Sequence, residues 1–447
     1  MKTAMRYLNL AAFFPLLVSS VFAATGSADS SGFDALIQQG RAALLAADPA
    51  RAESAYSQAC PAGLVSTYPV AWAVECENAL ASVDEVRGNL ARAEQRYVHA
   101  AAAAEQAGPA YLPLYCARLI DLGEHYHRQR RIAEGEVRLL QAVAVARTLT
   151  GIAPQLLPEA LNRLGGLYSD SHQPERGRAP LAEALSSPGG IAATEVARAR
   201  DALGMIDLAA GNRSEAESHL RESVALATAQ FGDDHPITAA YQIHLALALL
   251  ANGNFDGAGL LLRRAQFVME STPAPPGRQL GVVYAGMSAV ANSDGKAAQA
   301  EDYARRAVSI LDAAQPQDPG AASAARITLA AACLRTHDMA EAEKILPVAV
   351  DALRATGTSP GTLAAGLELL GKLRAQQQNW QAAESLYREA LGIYTRDGSG
   401  SNSPVAPLLR ALAEVLKKDG GSKAEVRALE LRARDIDRSV RQGTPHA

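Results

Sequence analysis

Apolar residues recur three and four positions apart over helix-length stretches of this chain, and small residues interrupt them at near-constant intervals. One such position is Ala52, Ala93, Gly135, Gly177, Ala216, Ala258, Ala300, Ala342 and Ala383, with steps of 39 to 42 residues. Twelve residues before each lies a second small residue: Gly40, Ala81, Gly123, Gly165, Gly204, Ala246, Ser288, Ala330 and Gly371. Four after comes a mostly large one, from Tyr56 and Tyr97 through Leu139, Leu181, Leu220, Leu262, Ala304 and Leu346 to Tyr387. This pattern predicts paired helices: the small residues let two helices approach closely, and the large one fills the space beside them. The dipeptides Gly88-Asn89, Gly211-Asn212 and Gly253-Asn254 mark turns that accept a left-handed backbone. A single hairpin of this size cannot bury its own apolar face, so neighbours must stack into a solenoid with one continuous core.

The framework resembles the tetratricopeptide repeat, in its long kinesin-light-chain-like variety. Residues 161–184 carry it most clearly, with Leu164, Gly165, Tyr168, Leu181 and Ala184. Residues 231–239, FGDDHPITA, are similar to the connector that opens such repeats; Pro236 suits a first helical turn, and Asp234 is placed to face the helix's positive end. The chain departs from the family in lacking Trp at the start of most first helices. The expected architecture is all-α: a superhelix of about nine hairpins over residues 33–393 and a degenerate capping hairpin over 394–437. A flexible segment at 24–32 and a disordered tail at 438–447 flank it. The Pro/Gly/Ser stretches at 271–278, 315–320, 356–362 and 397–404 then fall between repeats.

Composition narrows the function. Aromatics are only 5% of the 447 residues, and no alternating run suggests a strand. Residues 1–23 read as a cleavable secretory signal: Lys2 and Arg6, a short apolar stretch over Leu8–Val18, and Val21-Phe22-Ala23 before the cut. Removing Lys2 and Arg6 takes the formal net charge from −4 to −6, which leaves no basic stripe for nucleic acid. The mature chain is therefore expected to be exported, periplasmic or extracellular, with no membrane span. In that compartment Cys60 and Cys76, expected on adjacent helices, are a candidate disulfide. Cys116 sits in a similar place one repeat later and competes for Cys76; alternatively all four cysteines, with Cys333, are small buried residues.

No phosphate loop, HExxH, GxSxG or CxxC motif is present. His125 and His127 diverge on a helix and cannot share a metal, and Arg128-Arg130-Arg131 reads as a solvated turn. The expectation is a non-enzyme without cofactor or metal. In the family it resembles, the first helix of each repeat lines the concave surface. That implies a polar groove of Asn78, Glu85, Glu124, His127, Arg128, Asn162, Asp170, Arg198 and Asp201, with the equivalent Asn78 and Asn162 offered to a peptide backbone. It also implies an apolar continuation at Ile243, Leu247, Leu250 and Val282. These residues either dock a partner's peptide or helix, or form the hydrated and packed sides of amphipathic helices. The reading is an exported interaction scaffold. The alternatives are a self-assembling envelope protein, or an enzyme accessory with a small-molecule site near Glu124, His127 and Asp170. Neither partner nor oligomeric state follows from the chain.

Overall fold

The computed structural model describes residues 30–45, 48–61, 68–171, 173–187, 191–271, 277–314, 318–356, 360–396 and 405–442. The signal-like residues 1–23 lie outside these. Among the described residues every regular element is helical, with twenty α-helices. They pair in chain order into hairpins: α1 (Ser30–Leu45) with α2 (Pro49–Ala59), α3 (Val70–Val86) with α4 (Leu90–Gln106), α5 (Leu112–Arg128) with α6 (Ile132–Thr148), α7 (Leu156–Ser169) with α8 (Arg178–Leu185), and α9 (Ala193–Ala210) with α10 (Arg213–Phe231). The second half continues with α11 (Pro236–Ala251) and α12 (Phe255–Ser271), α13 (Arg278–Ser293) and α14 (Ala297–Ala313), α15 (Pro319–Arg335) and α16 (Met339–Thr356), and α17 (Pro360–Gln376) and α18 (Trp380–Arg396). The cap is a complete tenth hairpin, α19 (Val405–Lys418) and α20 (Lys423–Gln442). Two expected boundaries move: α1 begins at Ser30, inside the segment expected to be flexible, and α20 runs past 437 to Gln442.

The repeated small and large residues are the joints of each hairpin. Ala52, Ala93, Ala216, Ala258, Ala300, Ala342 and Ala383 have no exposed surface. A Cβ on Gly40 would lie 2.2 Å from Tyr56, and Cβ atoms on Gly123, Gly165, Gly204 and Gly371 would meet Leu139, Leu181, Leu220 and Tyr387 at 2.4–2.6 Å. Where Ser288 replaces the glycine, the facing residue shrinks to Ala304, and the Ser288 hydroxyl donates to the Ala300 carbonyl at 2.7 Å. In that unit the larger residue on the first helix is matched by a smaller one on the second. Gly165→Val adds a branched side chain where Leu181 Cγ stands 2.4 Å from the new Cβ. Denaturant melting is expected to show a loss at the upper end of ~1–3 kcal/mol, the usual range for overpacking.

Eight of the turns inside hairpins are closed the same way. The amides of Asn89, Arg131, Asn212, Asn254, Lys296, Asp338, Asn379 and Gly421 each donate at 2.8–2.9 Å to a carbonyl five residues back. The residue before each carries positive φ: Gly88, Gly211, Gly253, Gly295 and Gly420, but also Arg130, His337 and Gln378 at 59–64°. At the start of α11, His235 rather than Asp234 caps the helix, through Nδ1 accepting from the Ile237 amide at 3.2 Å. Asp234 instead pairs with Arg264 at 3.1 Å. Cys60 and Cys76 are joined by a disulfide that ties α2 to α3, while Cys116 and Cys333 are free and buried.

Most first helices also touch the next first helix, as α5 touches α7, α7 touches α9, and α11 touches α13. This lines the inner wall of the superhelix with first helices. The wall holds the candidate site.

Candidate functional site

A cavity of about 240 Å³ opens on this inner wall. First helices of the second through seventh hairpins line it, and Asp318, the N-cap of α15, closes its far side. Glu85, Glu124, His127, Arg128, Asn162, Asp170, Arg198 and Asp201 are all brought to it. Glu159, Arg163, His244, Arg278 and Asp318 join them. Arg163 and Arg278 are charges on first helices, but nothing in the sequence shows which charges face each other.

The polar residues are tied to one another before any ligand arrives. Because the repeat is close to 42 residues, a side chain on one first helix meets the position about 43 further on. Arg118 donates to Glu75 at 2.9 Å, Arg128 to Glu85 at 2.6 Å, His127 stands 3.2 Å from Asp170, and His244 stands 2.9 Å from Asp201. Arg163, only 3% exposed, reaches Glu124 at 3.0 Å, Glu195 at 3.1 Å and Glu159 at 3.5 Å. Burial alone would raise the Glu85 carboxyl, but Arg128 and a 2.9 Å contact from His125 overcome it and bring it down to about 2.

Glu159 behaves in the opposite way. Its burial is the largest influence and is only partly offset by Arg163; the neighbouring Glu195 and Asp121 carboxylates add to it, and its pKa rises to about 8. Against the same burial, Arg163, Arg198 and Asn162 hold Glu195 below the usual carboxylate range. The pair therefore keeps one proton near neutral pH, favoured on Glu159 because the guanidiniums beside Glu195 favour its ionised form.

The two ends of the cavity face each other. Asp170 is held low against burial by His127 and then by Arg278, which belongs to the seventh hairpin. Asp318 is held low against burial by Arg278, by the Ala321 amide and by Arg130 of the third hairpin. The superhelix therefore curls far enough for repeats distant in sequence to share one electrostatic field.

Several expected roles change. Asn78 is 2% exposed and does not line the cavity, so it is no peptide hook. Asn162 lines it, but its amide nitrogen donates to the Glu195 carbonyl oxygen and to Glu195 Oε2, both at 3.0 Å. Of the expected apolar continuation, Ile243 is withdrawn from the groove. Ile243 is 2% exposed within the core between α11 and α13, and Leu250 and Val282 pack on that core from its edge; Leu247 is half-buried. Repeat stacking takes up Ile243 fully and Leu250 and Val282 in part. Arg128-Arg130-Arg131 is not one solvated patch either. Arg128 ends α5 and holds Glu85, Arg131 donates to Glu94 at 2.7 Å, and Arg130 alone is exposed in the turn. His127 pairs with Asp170 and not with Glu124. Among the described residues no group of three or more His, Cys, Asp or Glu is arranged to hold a metal, and no helix is long and apolar enough to cross a membrane.

Residues 195–271, nearly all of α9 to α12, match the tetratricopeptide repeat family. The fold of the described residues is an all-helical solenoid of the tetratricopeptide-like kind. The fold is shared with the apo quorum sensor NprR of B. thuringiensis (TM-score 0.52, 10% identity, 72% of this chain and 87% of that one). It is also shared with a Rap protein complexed with competence and sporulation factor (TM-score 0.54, 11% identity, 73% of this chain and 98% of that one). A putative kinesin light chain with nearly identical tetratricopeptide-like repeats, from Podospora anserina, aligns over 46% of this chain and 96% of its own at 20% identity and TM-score 0.34. No curated protein matches the sequence.

Proposed function

We propose that this tetratricopeptide-type solenoid is an exported scaffold that docks a segment of a partner polypeptide in its concave cavity. The carrying observation is the cavity itself: one polar space lined from six successive hairpins, its walls preset by ion pairs between repeats. Preset walls reduce the ordering that binding would otherwise require of the receptor. The Rap protein of like fold was solved with a bound factor, which supports a binding role for this architecture. Export is supported by the signal-like residues 1–23 and by the Cys60–Cys76 bond, since disulfides persist in oxidising compartments.

A photo-crosslinking side chain tests the docking face. Placed at Met205, which lines the cavity, it is expected to trap a partner from the extract of the source cells; placed at Phe267, exposed on the outer helix α12, it is expected to trap none. Adducts from Phe267 with none from Met205 would move docking to the convex side and overturn the reading.

A further inference from the structure

Along the inner wall from α3 to α9, Glu75, Glu85, Asp121, Glu124, Glu159 and Glu195 form one linked cluster with Arg118, Arg128, Arg163, Arg198 and, from α1, Arg41, one carboxyl more than guanidinium. The surplus falls where the cavity is open. Asp121 and Glu159, on facing helices, both line it, and burial above all raises both carboxyls. Asn162, with no exposed surface, lines the same space; its amide nitrogen is used by Glu195, and its carbonyl oxygen has no donor. Asp121 Oδ2 has Arg118 at 3.1 Å but accepts no hydrogen bond. Four residues beyond Asn162, Gly166 also lines the cavity, and a Cβ there would meet nothing within 4 Å, so there is room. Two acceptors without a protein donor, a surplus carboxyl and open space together suit a hydrogen-bonding cation.

We propose that this corner of the cavity is a subsite for a primary ammonium group of the docked polypeptide, either a lysine side chain or a free N-terminal amine. An ammonium offers three donors, matching Asn162 Oδ1, Asp121 and Glu159. It restores the charge balance by displacing the proton that Glu159 carries, so binding releases that proton while the ammonium keeps its own. The groups facing Glu159 are Asp121, Glu124 and the Cys116 thiol from α5, Arg163 from α7 itself, and Glu195 and Arg198 from α9. The inference rests on docking in the cavity and names the chemistry of one end of what docks.

Calorimetric titration of the full chain with two probes tests it: Nα-acetyl-lysine N-methylamide for the side chain, and triglycine amide for the N-terminus. If the side-chain source is right, the lysine probe should bind on the order of a hundredfold more tightly at pH 9 than at pH 6, as Glu159 passes from protonated to ionised. If the N-terminal source is right, the triglycine probe should bind best near pH 8, where its own amine begins to lose its proton. Glu159→Gln should flatten the lysine profile and remove the rise toward pH 8 in the triglycine profile, leaving only the fall as that probe's own amine loses its proton. That variant should still fold, because the amide copies the protonated carboxyl. It should also melt higher at pH 8: the unfolded chain ionises Glu159 above about 4.5 and the folded chain only above about 8, so native Glu159 disfavours folding across that window. Binding by neither probe, a pH-independent affinity, or a profile unchanged by Glu159→Gln would each overturn the subsite. If Met205 still traps a partner while both probes fail, the subsite falls and groove docking stands.

Discussion

Replacing Arg163 by alanine is expected to destabilise the central repeats by ~3–5 kcal/mol, the usual effect of removing one partner from a buried charge cluster. The guanidinium is 2% exposed and serves carboxylates from three consecutive first helices: Glu124 on α5, Glu159 on α7 and Glu195 on α9. Without it, Glu124 and Glu195 lose their principal positive neighbour at a site water reaches poorly. Glu195 would retain Asn162 Nδ2 at 3.0 Å and Arg198 at 3.7 Å, too little to hold both acids ionised. The third to fifth hairpins should therefore loosen first. In a repeat array, stability is carried by neighbouring interfaces, so one weak interface divides the molecule. Urea unfolding followed by circular dichroism should change from one transition to two, with the earlier one sensitive to pH. A single, unshifted transition in the variant would show that the cluster does not join these repeats.

Reduction of the Cys60–Cys76 bond, or Cys60→Ser with Cys76→Ser, is expected to cost the N-terminal hairpins about 3 kcal/mol on the chain-entropy relation for a loop of this length. The bond closes a 16-residue separation between the end of α2 and the middle of α3. It sits beside the aromatic group in which Phe33 stacks on Trp72 at 4.5 Å and Tyr68 meets Trp72 edge-on. Trp72 is thus a local reporter. Its emission should shift at lower denaturant once the bond is cut, while Trp380, far along the solenoid in α18, keeps its midpoint. A thiol assay on unreduced, denatured protein should count Cys116 and Cys333 alone. Finding four thiols in protein isolated from its native compartment would remove both the staple and one support for export.

The helical hairpin was legible because its requirements are local and repeat. Gly165 facing Leu181 and Gly371 facing Tyr387 follow from a fixed spacing of sixteen residues, and a small residue recurs at the first of these positions in each unit. Gly88, Gly211 and Gly253 were readable as left-handed turn residues because glycine adopts that backbone freely. Arg130, His337 and Gln378 were not, because there the closing hydrogen bond of the turn imposes the conformation on a residue that disfavours it. Asp234 was misplaced for a similar reason: two acceptors preceded α11, and only packing chose His235.

The concave wall was readable as polar, and its membership came from the period. What each residue does there depended on a neighbour 32 to 43 positions away, a relation set by how one hairpin tilts on the next. That tilt turned Asn162 toward Glu195, buried Ile243 between repeats, and placed Arg163 among three carboxylates. It left Glu159 protonated beside an oxygen without a donor. The sequence by itself determined the hairpin, its repetition and the polarity of the inner face, since these rest on side-chain volume and helical period within one unit. Only the tertiary structure decided which charges are spent joining repeats and which remain over the cavity, because electrostatic pairing acts through space, and in a solenoid that space is defined by the stacking of neighbours.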